Sequence, residues 1–171
     1  MEWIKYTAGA VLALALASCA QQTEREEPAL EPRMNSIDRE KLFVAQERAA
    51  IEAYIVEHQW EDDVESDGMG MVWLRVVEGK GPAPEVGDYV VYDAKVYLLD
   101  DSGITRYRDT LHLGYDQVEL VLHEALANMK KGDESIVLVP SFLAHGMAGD
   151  LDRIPPRSPL RYDLKLVDII E

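Results

Sequence analysis

The sequence of 171 residues holds a single cysteine, Cys19. An intramolecular disulfide framework and a four-cysteine zinc site are therefore excluded, and that cysteine matters by its position. Positive charge is also scarce: 17 Lys and Arg stand against 32 Asp and Glu, a formal net charge of −15. Phosphate backbones repel such a chain, so nucleic acid is not an expected partner. No apolar run reaches the roughly 20 residues that a membrane-crossing helix needs. There is no Gly-x-Ser-x-Gly elbow, no Gly-rich phosphate loop and no internal repeat. His58, His112, His123 and His145 are scattered, without metal-ligand spacing, and read as satisfied surface or strand residues. No metal and no cofactor are expected. Carboxylates abound, yet no segment singles out a pair of the kind glycoside hydrolysis uses. The length suits one ordinary domain with appendages.

What is present begins with an address. Lys5 precedes an apolar run from Ala8 to Ala17, the length of a signal-peptide core. The run closes in Leu16-Ala17-Ser18-Cys19, which resembles the bacterial lipobox, where the cysteine sulfur receives lipid. The expectation is a lipoprotein signal peptide over residues 1–18 and lipidation of Cys19, followed by a flexible, polar tether over 19–35 carrying Pro28 and Pro32. No Asp follows Cys19, which points to the outer membrane of a cell envelope. Excess charge sits on this side: Cys19 to Gly68 carries 14 acids and 5 bases, a net −9, against −6 for Met69 to Glu171.

Residues 36–68 read as a helix and an acidic loop. Ser36 is the candidate N-cap, and Phe43, Val44, Ala50, Ile51, Tyr54 and Ile55 recur at three- and four-residue steps, predicting a helix over Ile37–Glu57. Its apolar stripe must be buried by a second copy of the chain, giving a homodimer, or by its own domain. The cluster from Glu61 to Gly68 lacks the alternate-residue spacing of an EF-hand and reads as a solvated loop.

Residues 69–171 read as strands around one helix. Strands are predicted over Met71–Val77 and Tyr89–Leu99, a strand stub over Leu111–Gly114, and further strands over Ser135–Val139 and Leu160–Ile169. Between them Asp116 is the expected N-cap of a helix, with Glu119 completing a capping box. Val118, Val121, Leu122, Ala125, Leu126 and Met129 form its apolar stripe, and Gly132 ends it. The class is α+β: an antiparallel sheet wrapped around one helix, preceded by an N-terminal helix.

Ordered motifs run through this half. Gly79-x-Gly81, Pro84, Gly87-Asp88 and Leu113-Gly114 come first. Met129-Lys130-Lys131-Gly132-Asp133-Glu134, Ala144-His145-Gly146, Ile154-Pro155-Pro156 and Leu160-x-Tyr162-x-Leu164-x-Leu166 follow. Together, over roughly Val72 to Glu171, they resemble the FKBP-type peptidyl-prolyl cis-trans isomerases. With the lipobox and helical preface, the whole is similar to the gliding-motility-associated lipoprotein isomerases of Bacteroidetes. The resemblance implies a pocket for the proline ring lined by Tyr107, Val118, Leu122, Ile154 and Tyr162. It puts His145 in place of the tyrosine of Ala-Tyr-Gly, and gives the Glu119 backbone N–H the task of holding a carbonyl. Leu122 replaces the family's floor tryptophan, Tyr107-Arg108 its Phe-Asp pair, Ala94 an early-strand tyrosine and Glu119 an isoleucine, so the pocket should be shallower and more charged.

The implied activity is rotation of X-Pro bonds in envelope polypeptides. It needs no acid, base or metal, in accord with the empty inventory above. The alternative is a non-catalytic chaperone or assembly factor on the same frame. Arg106, Arg108, Arg153, Arg157 and Arg161 lie in segments expected around the pocket, which predicts a basic rim.

Overall fold

A computed structural model describes residues 34–170. The expected signal peptide, Cys19 and nearly all of the tether lie outside the described residues. The elements in chain order are α1 (Ser36–Glu57), β1 (Val64–Ser66), β2 (Val72–Val77), β3 (Tyr89–Leu98), β4 (Gly103–His112), α2 (Leu120–Ala127), β5 (Glu134–Val139), a 3₁₀ turn (Ser141–Leu143) and β6 (Leu160–Ile170). The strands form one six-stranded sheet in the order β1-β2-β5-β6-β3-β4, every neighbour antiparallel. This is the α+β, FKBP-like arrangement expected.

Successive side chains of a strand point to opposite faces, so one strand can feed two separate clusters, as β5 does here. On one face Val90, Tyr92, Ala94 and Val96 of β3, Leu160, Tyr162, Leu164 and Leu166 of β6, and Val137 and Val139 of β5 are buried together with Val121, Leu122, Ala125 and Leu126 of α2. The intervening Ile136 and Leu138 of β5 pack instead with Ile51, Tyr54 and Ile55 of α1. The C-terminal part of the α1 stripe, Ile51, Tyr54 and Ile55, is thus covered by its own domain, while Val44 stays exposed.

Several boundaries differ from the sequence reading. Asn35, not Ser36, caps α1: its side-chain oxygen accepts the Asp38 N–H at 2.8 Å, which places Ser36 inside the first turn. The acidic loop contains β1, paired along Ser66↔Val72 and Val64↔Leu74. The expected stub at Leu111–Gly114 is the end of a ten-residue strand, β4. A bulge where Val96 pairs Thr105 but Tyr97 pairs Gly103 breaks the alternation and brings Ile104 to the inner face along with Tyr107 and Leu111, which hid the strand's period. Helix α2 begins at Leu120 and ends at Ala127, well short of Gly132. Asp116 does not cap it, because its carboxylate accepts the His112 N–H at 2.8 Å and its carbonyl faces the His123 ring.

The turn after α2 is closed by a wholly buried carboxylate. Asp133 accepts the Gly79 N–H at 2.5 Å and the Lys130 N–H at 2.8 Å, while its backbone pairs with Leu166. A Cβ at Gly79 would lie 2.5 Å from both the Asp133 nitrogen and the Lys131 carbonyl oxygen, so only glycine admits this approach. Asp133→Ala should lower the unfolding free energy by about 1–3 kcal/mol, because one buried and one part-buried donor lose their acceptor. Urea unfolding measures this, and a loss under about 0.5 kcal/mol would show that the turn closes without the carboxylate.

Candidate functional site

A cleft of about 290 Å³ opens at the end of the sheet where α2 begins. Val96 of β3, Ile104, Thr105 and Tyr107 of β4, and Tyr162 of β6 build its floor and one wall. Glu119, just ahead of α2, and His145, Asp150, Arg153 and Ile154 of the β5–β6 connection close the other side. The strand residues reach it for a simple reason: Val96, Tyr107 and Tyr162 fall on the inward parity of neighbouring strands, Val96 lying opposite Tyr162 and Ala94 opposite Tyr107.

Five of the seven residues singled out from the sequence therefore meet here: Tyr107, Glu119, His145, Ile154 and Tyr162. Val118 and Leu122 do not. Val118 precedes the helix and is 40% exposed outside the cleft, while Leu122 is 1% exposed within the main core. Thr105 and Asp150 line the cleft although no reading of the sequence named them. Their signals were the inward parity of β4 and the turn-forming Asp150-x-x-Arg153 spacing.

The floor is apolar with one exception. Tyr162 is 1% exposed, and its hydroxyl has no hydrogen-bond partner. Burial, with Glu119 and Tyr107 adding to it, pushes its phenol far above the ordinary tyrosine value. Burial raises Tyr107 likewise, and Tyr107 sits edge-on to Tyr92 at 6.0 Å. Both phenols stay protonated throughout the physiological range.

The rim is polar and mixed in sign. His145 Nε2 lies 3.3 Å from Glu119 Oε1, so a histidine from the connection and a carboxylate from the head of α2 span the mouth. The N–H groups of a helix's first turn lack internal acceptors, which leaves amide donors at this same corner. Arg153 donates to the Ile104 carbonyl and ties the connection to β4. The basic rim expected from the sequence is not formed. Arg106, Arg108 and Arg161 have the outward parity of their strands; Arg108 is paired with Asp93 at 2.6 Å and Arg161 with Asp163 at 2.7 Å. Arg157 is taken by Glu40. Only Arg153 of the five lines the cleft, together with Glu119 and Asp150, and its Nε lies 3.6 Å from Asp152 Oδ2.

Asp150 shapes the connection. Its Oδ1 accepts the N–H groups of Ile154 at 2.6 Å, Arg153 at 2.8 Å and Asp152 at 3.0 Å, bending the chain so that Ile154 turns inward while Leu151 takes φ 63° and is 90% exposed. Among the described residues no group of three or more His, Cys, Asp or Glu could hold a metal ion.

Known proteins resemble this chain in sequence and fold. The pattern of the FKBP-type peptidyl-prolyl cis-trans isomerase family matches residues 81–167. The FKBP-type isomerase FkpA of Escherichia coli K12 is 34% identical over 155 residues, which take in 87% of this chain but only 57% of that protein's length. The macrophage infectivity potentiator of Trypanosoma cruzi is 28% identical over 93% of this chain and 79% of its own. In three dimensions the crystal structure of Escherichia coli FkpA superimposes with a TM-score of 0.63 at 31% identity, covering 78% of this chain and 63% of that one. A Pseudomonas syringae isomerase shares the fold with a TM-score of 0.66 at 22% identity, over 77% of this chain and 96% of its own.

Two outcomes test the site's construction. Tyr162→Phe removes an unpartnered buried hydroxyl and should stabilise the fold by about 1 kcal/mol in thermal or urea unfolding; a loss of stability would mean that the hydroxyl has a partner. The second concerns Asp150, whose carboxyl is held below the ordinary aspartate value of 3.8 by the Ile154 N–H first and the Asp152 N–H next. A lowered folded value means that its stabilisation is complete above the ordinary value and is lost as pH falls through the lower, folded one. The Ile154 amide resonance should therefore hold its position at about pH 5 and move only in stronger acid. Movement near pH 6 would overturn this assignment.

Proposed function

The chain belongs to the FKBP-type peptidyl-prolyl cis-trans isomerase family, and from that premise we propose that its cleft catalyses rotation of X-Pro bonds in polypeptide clients. The observation that carries this reading is the convergence of Tyr107, Tyr162, Ile154, His145 and the head of α2 on one cleft with an apolar floor. The barrier to be lowered is about 18–20 kcal/mol, set by amide resonance. Twisting the bond removes that resonance and its charge separation, so a dry wall of Val96, Ile104, Ile154 and two tyrosine rings favours the twisted amide over the planar one. The proline ring would rest on Tyr162 and Ile154, with Tyr107 beside it. The Glu119 N–H would hold the carbonyl that precedes the proline, and His145, bridged to Glu119, would fix the mouth. Val118 and Leu122 support this corner only from outside the cleft and from the core.

The setting belongs to the same proposal: lipidation at Cys19 and a place in the cell envelope, as in the gliding-motility lipoproteins, supported by Leu16-Ala17-Ser18-Cys19. A second copy of the chain is a further proposed partner, supported by the exposed Ile37, Leu42 and Val44 of α1. A second reading, a chaperone with little catalysis, is favoured by one observation. The connection that closes the cleft exposes Phe142, Met147 and Leu151, an apolar surface for unfolded clients.

The purified protein should accelerate the cis-to-trans step of a Leu-Pro or Phe-Pro peptide at micromolar concentration. Tyr107→Ala should reduce kcat/KM by about ten-fold with the fold intact. An unchanged isomerisation rate, with aggregation of an unfolded client suppressed, would replace this reading by the chaperone.

A further inference from the structure

Helix α1 lies outside the family match, yet it holds the cleft's connection at two points. Glu47, 7% exposed, is a buried carboxylate whose two oxygens accept the Ser141 N–H at 2.7 Å and the Ser141 Oγ–H at 2.8 Å. A charge this deeply placed is tolerated only when hydrogen-bonded, so the contact is specific and not incidental packing. Ser141 opens the 3₁₀ turn that leads to the cleft. Its carbonyl accepts both the Ala144 N–H at 3.0 Å and the Gly146 N–H at 2.7 Å, the two amides that flank His145.

The second point is Arg157, at the far end of the same connection. Its N–H donates to the Gly146 carbonyl at 3.2 Å, its guanidinium meets Glu40 of α1 at 2.8 and 3.2 Å, and its Cζ stacks 4.0 Å over the Phe43 ring. Arg157 sits at φ 56°, a left-handed conformation that a side chain bearing a Cβ keeps only when its surroundings hold it. Gly146 is thus pinned through its N–H by way of Glu47 and through its carbonyl by way of Glu40, and His145 stands next to it with its ring against Glu119.

We infer that α1 is part of the catalytic unit and that Glu47 is a positioning residue, placing His145 at the mouth of the cleft through Ser141, with the Glu40–Arg157 pair as the second hold. The inference rests on the isomerase reading for its effect on rate, but its structural half stands apart from that reading. Anything that draws α1 away from the sheet would then loosen the cleft.

The test uses the full chain and four forms of it: wild type, Glu47→Ala, Glu47→Gln and, on the solvent side of α1, Glu52→Ala. Glu47→Ala should lower kcat for an X-Pro peptide about ten-fold with KM changed less than about two-fold, since the mouth is misplaced and the apolar floor is untouched. The Gly146 amide should exchange with solvent about ten-fold faster, while the Leu138 amide in β5 keeps its protection. Glu47→Gln can accept the Ser141 N–H and donate to its hydroxyl, and should return both readouts to within about two-fold of wild type, as should Glu52→Ala. Should Glu47→Ala fail to fold, Ser141→Ala, which loses only the hydroxyl bond, should move kcat and Gly146 exchange in the same direction by a smaller factor. Wild-type kcat and Gly146 exchange in Glu47→Ala, or in Ser141→Ala where that is the variant used, would overturn the inference. A wild type without isomerase activity but with faster Gly146 exchange in the variant would instead overturn the isomerase reading and leave the positioning intact.

Discussion

One sheet has to bury two rows of side chains, and no single helix can cover both. The central strands β5, β6 and β3 carry apolar residues on the face that meets α2, and β5 carries a second apolar pair, Ile136 and Leu138, on the face that meets α1. Removing apolar area from water is worth about 25 cal/mol per Å², so each row needs its own cover. The α2 side becomes the main core and, where α2 gives out, the cleft. The α1 side becomes a second, smaller cluster in which Tyr54 also donates to Asp101 at 2.6 Å and receives Arg161 at 2.9 Å. Burial and the Asp101 bond together push the Tyr54 phenol up to about 12. This division explains why the N-terminal helix belongs to the fold, and it follows from the pleat alone.

Carboxylates do much of the backbone's work. Asp133 closes the turn after α2 against Gly79, Asp150 bends the β5–β6 connection, Asp67 accepts the N–H groups of Met69, Gly70 and Met71, and Glu47 holds Ser141. Each converts an irregular stretch, whose amides have no strand or helix partner, into a defined shape. The −15 charge thus has two components. Part of it is solvated excess, and part is structural acceptors placed where the chain leaves regular structure.

The cleft shows the same economy of polar groups. The Tyr162 hydroxyl at its floor has no hydrogen-bond partner within the protein, whereas its mouth gathers His145, Glu119, Asp150 and Arg153. An apolar floor under a polar mouth suits a reaction in which a neutral amide loses its charge separation while the flanking chain remains in water. The histidines divide accordingly. His123 is fully used, Nδ1 accepting the Gly114 N–H and Nε2–H donating to the Asp116 carbonyl, and His112 is stacked between Tyr89 and Tyr115. Only His145 among them faces the cleft.

Much of this was legible in the residues. Strand-like apolar runs bounded by turn residues gave β2, β3, β5 and β6 nearly to the residue, and the ordered Gly, Ile-Pro-Pro and Ala-His-Gly motifs carried the family resemblance. What misled was local chemistry with more than one outlet. Asp116 and Glu119 have the spacing of a capping box, but one carboxylate meets the His112 amide and the other lies beside His145, and α2 starts at Leu120. The bulge at Ile104 erased the period of β4. The arginines could have been sorted by parity once the strands were known, and no basic rim would then have been expected. By itself the sequence determined four of the six strands, the class and the family, since these rest on patterns repeated over many residues. Only the tertiary structure decided where α1 goes, which carboxylate meets which amide and which side chains share the cleft, since each depends on contacts between residues as distant as Glu47 and Ser141, and local spacing does not encode them.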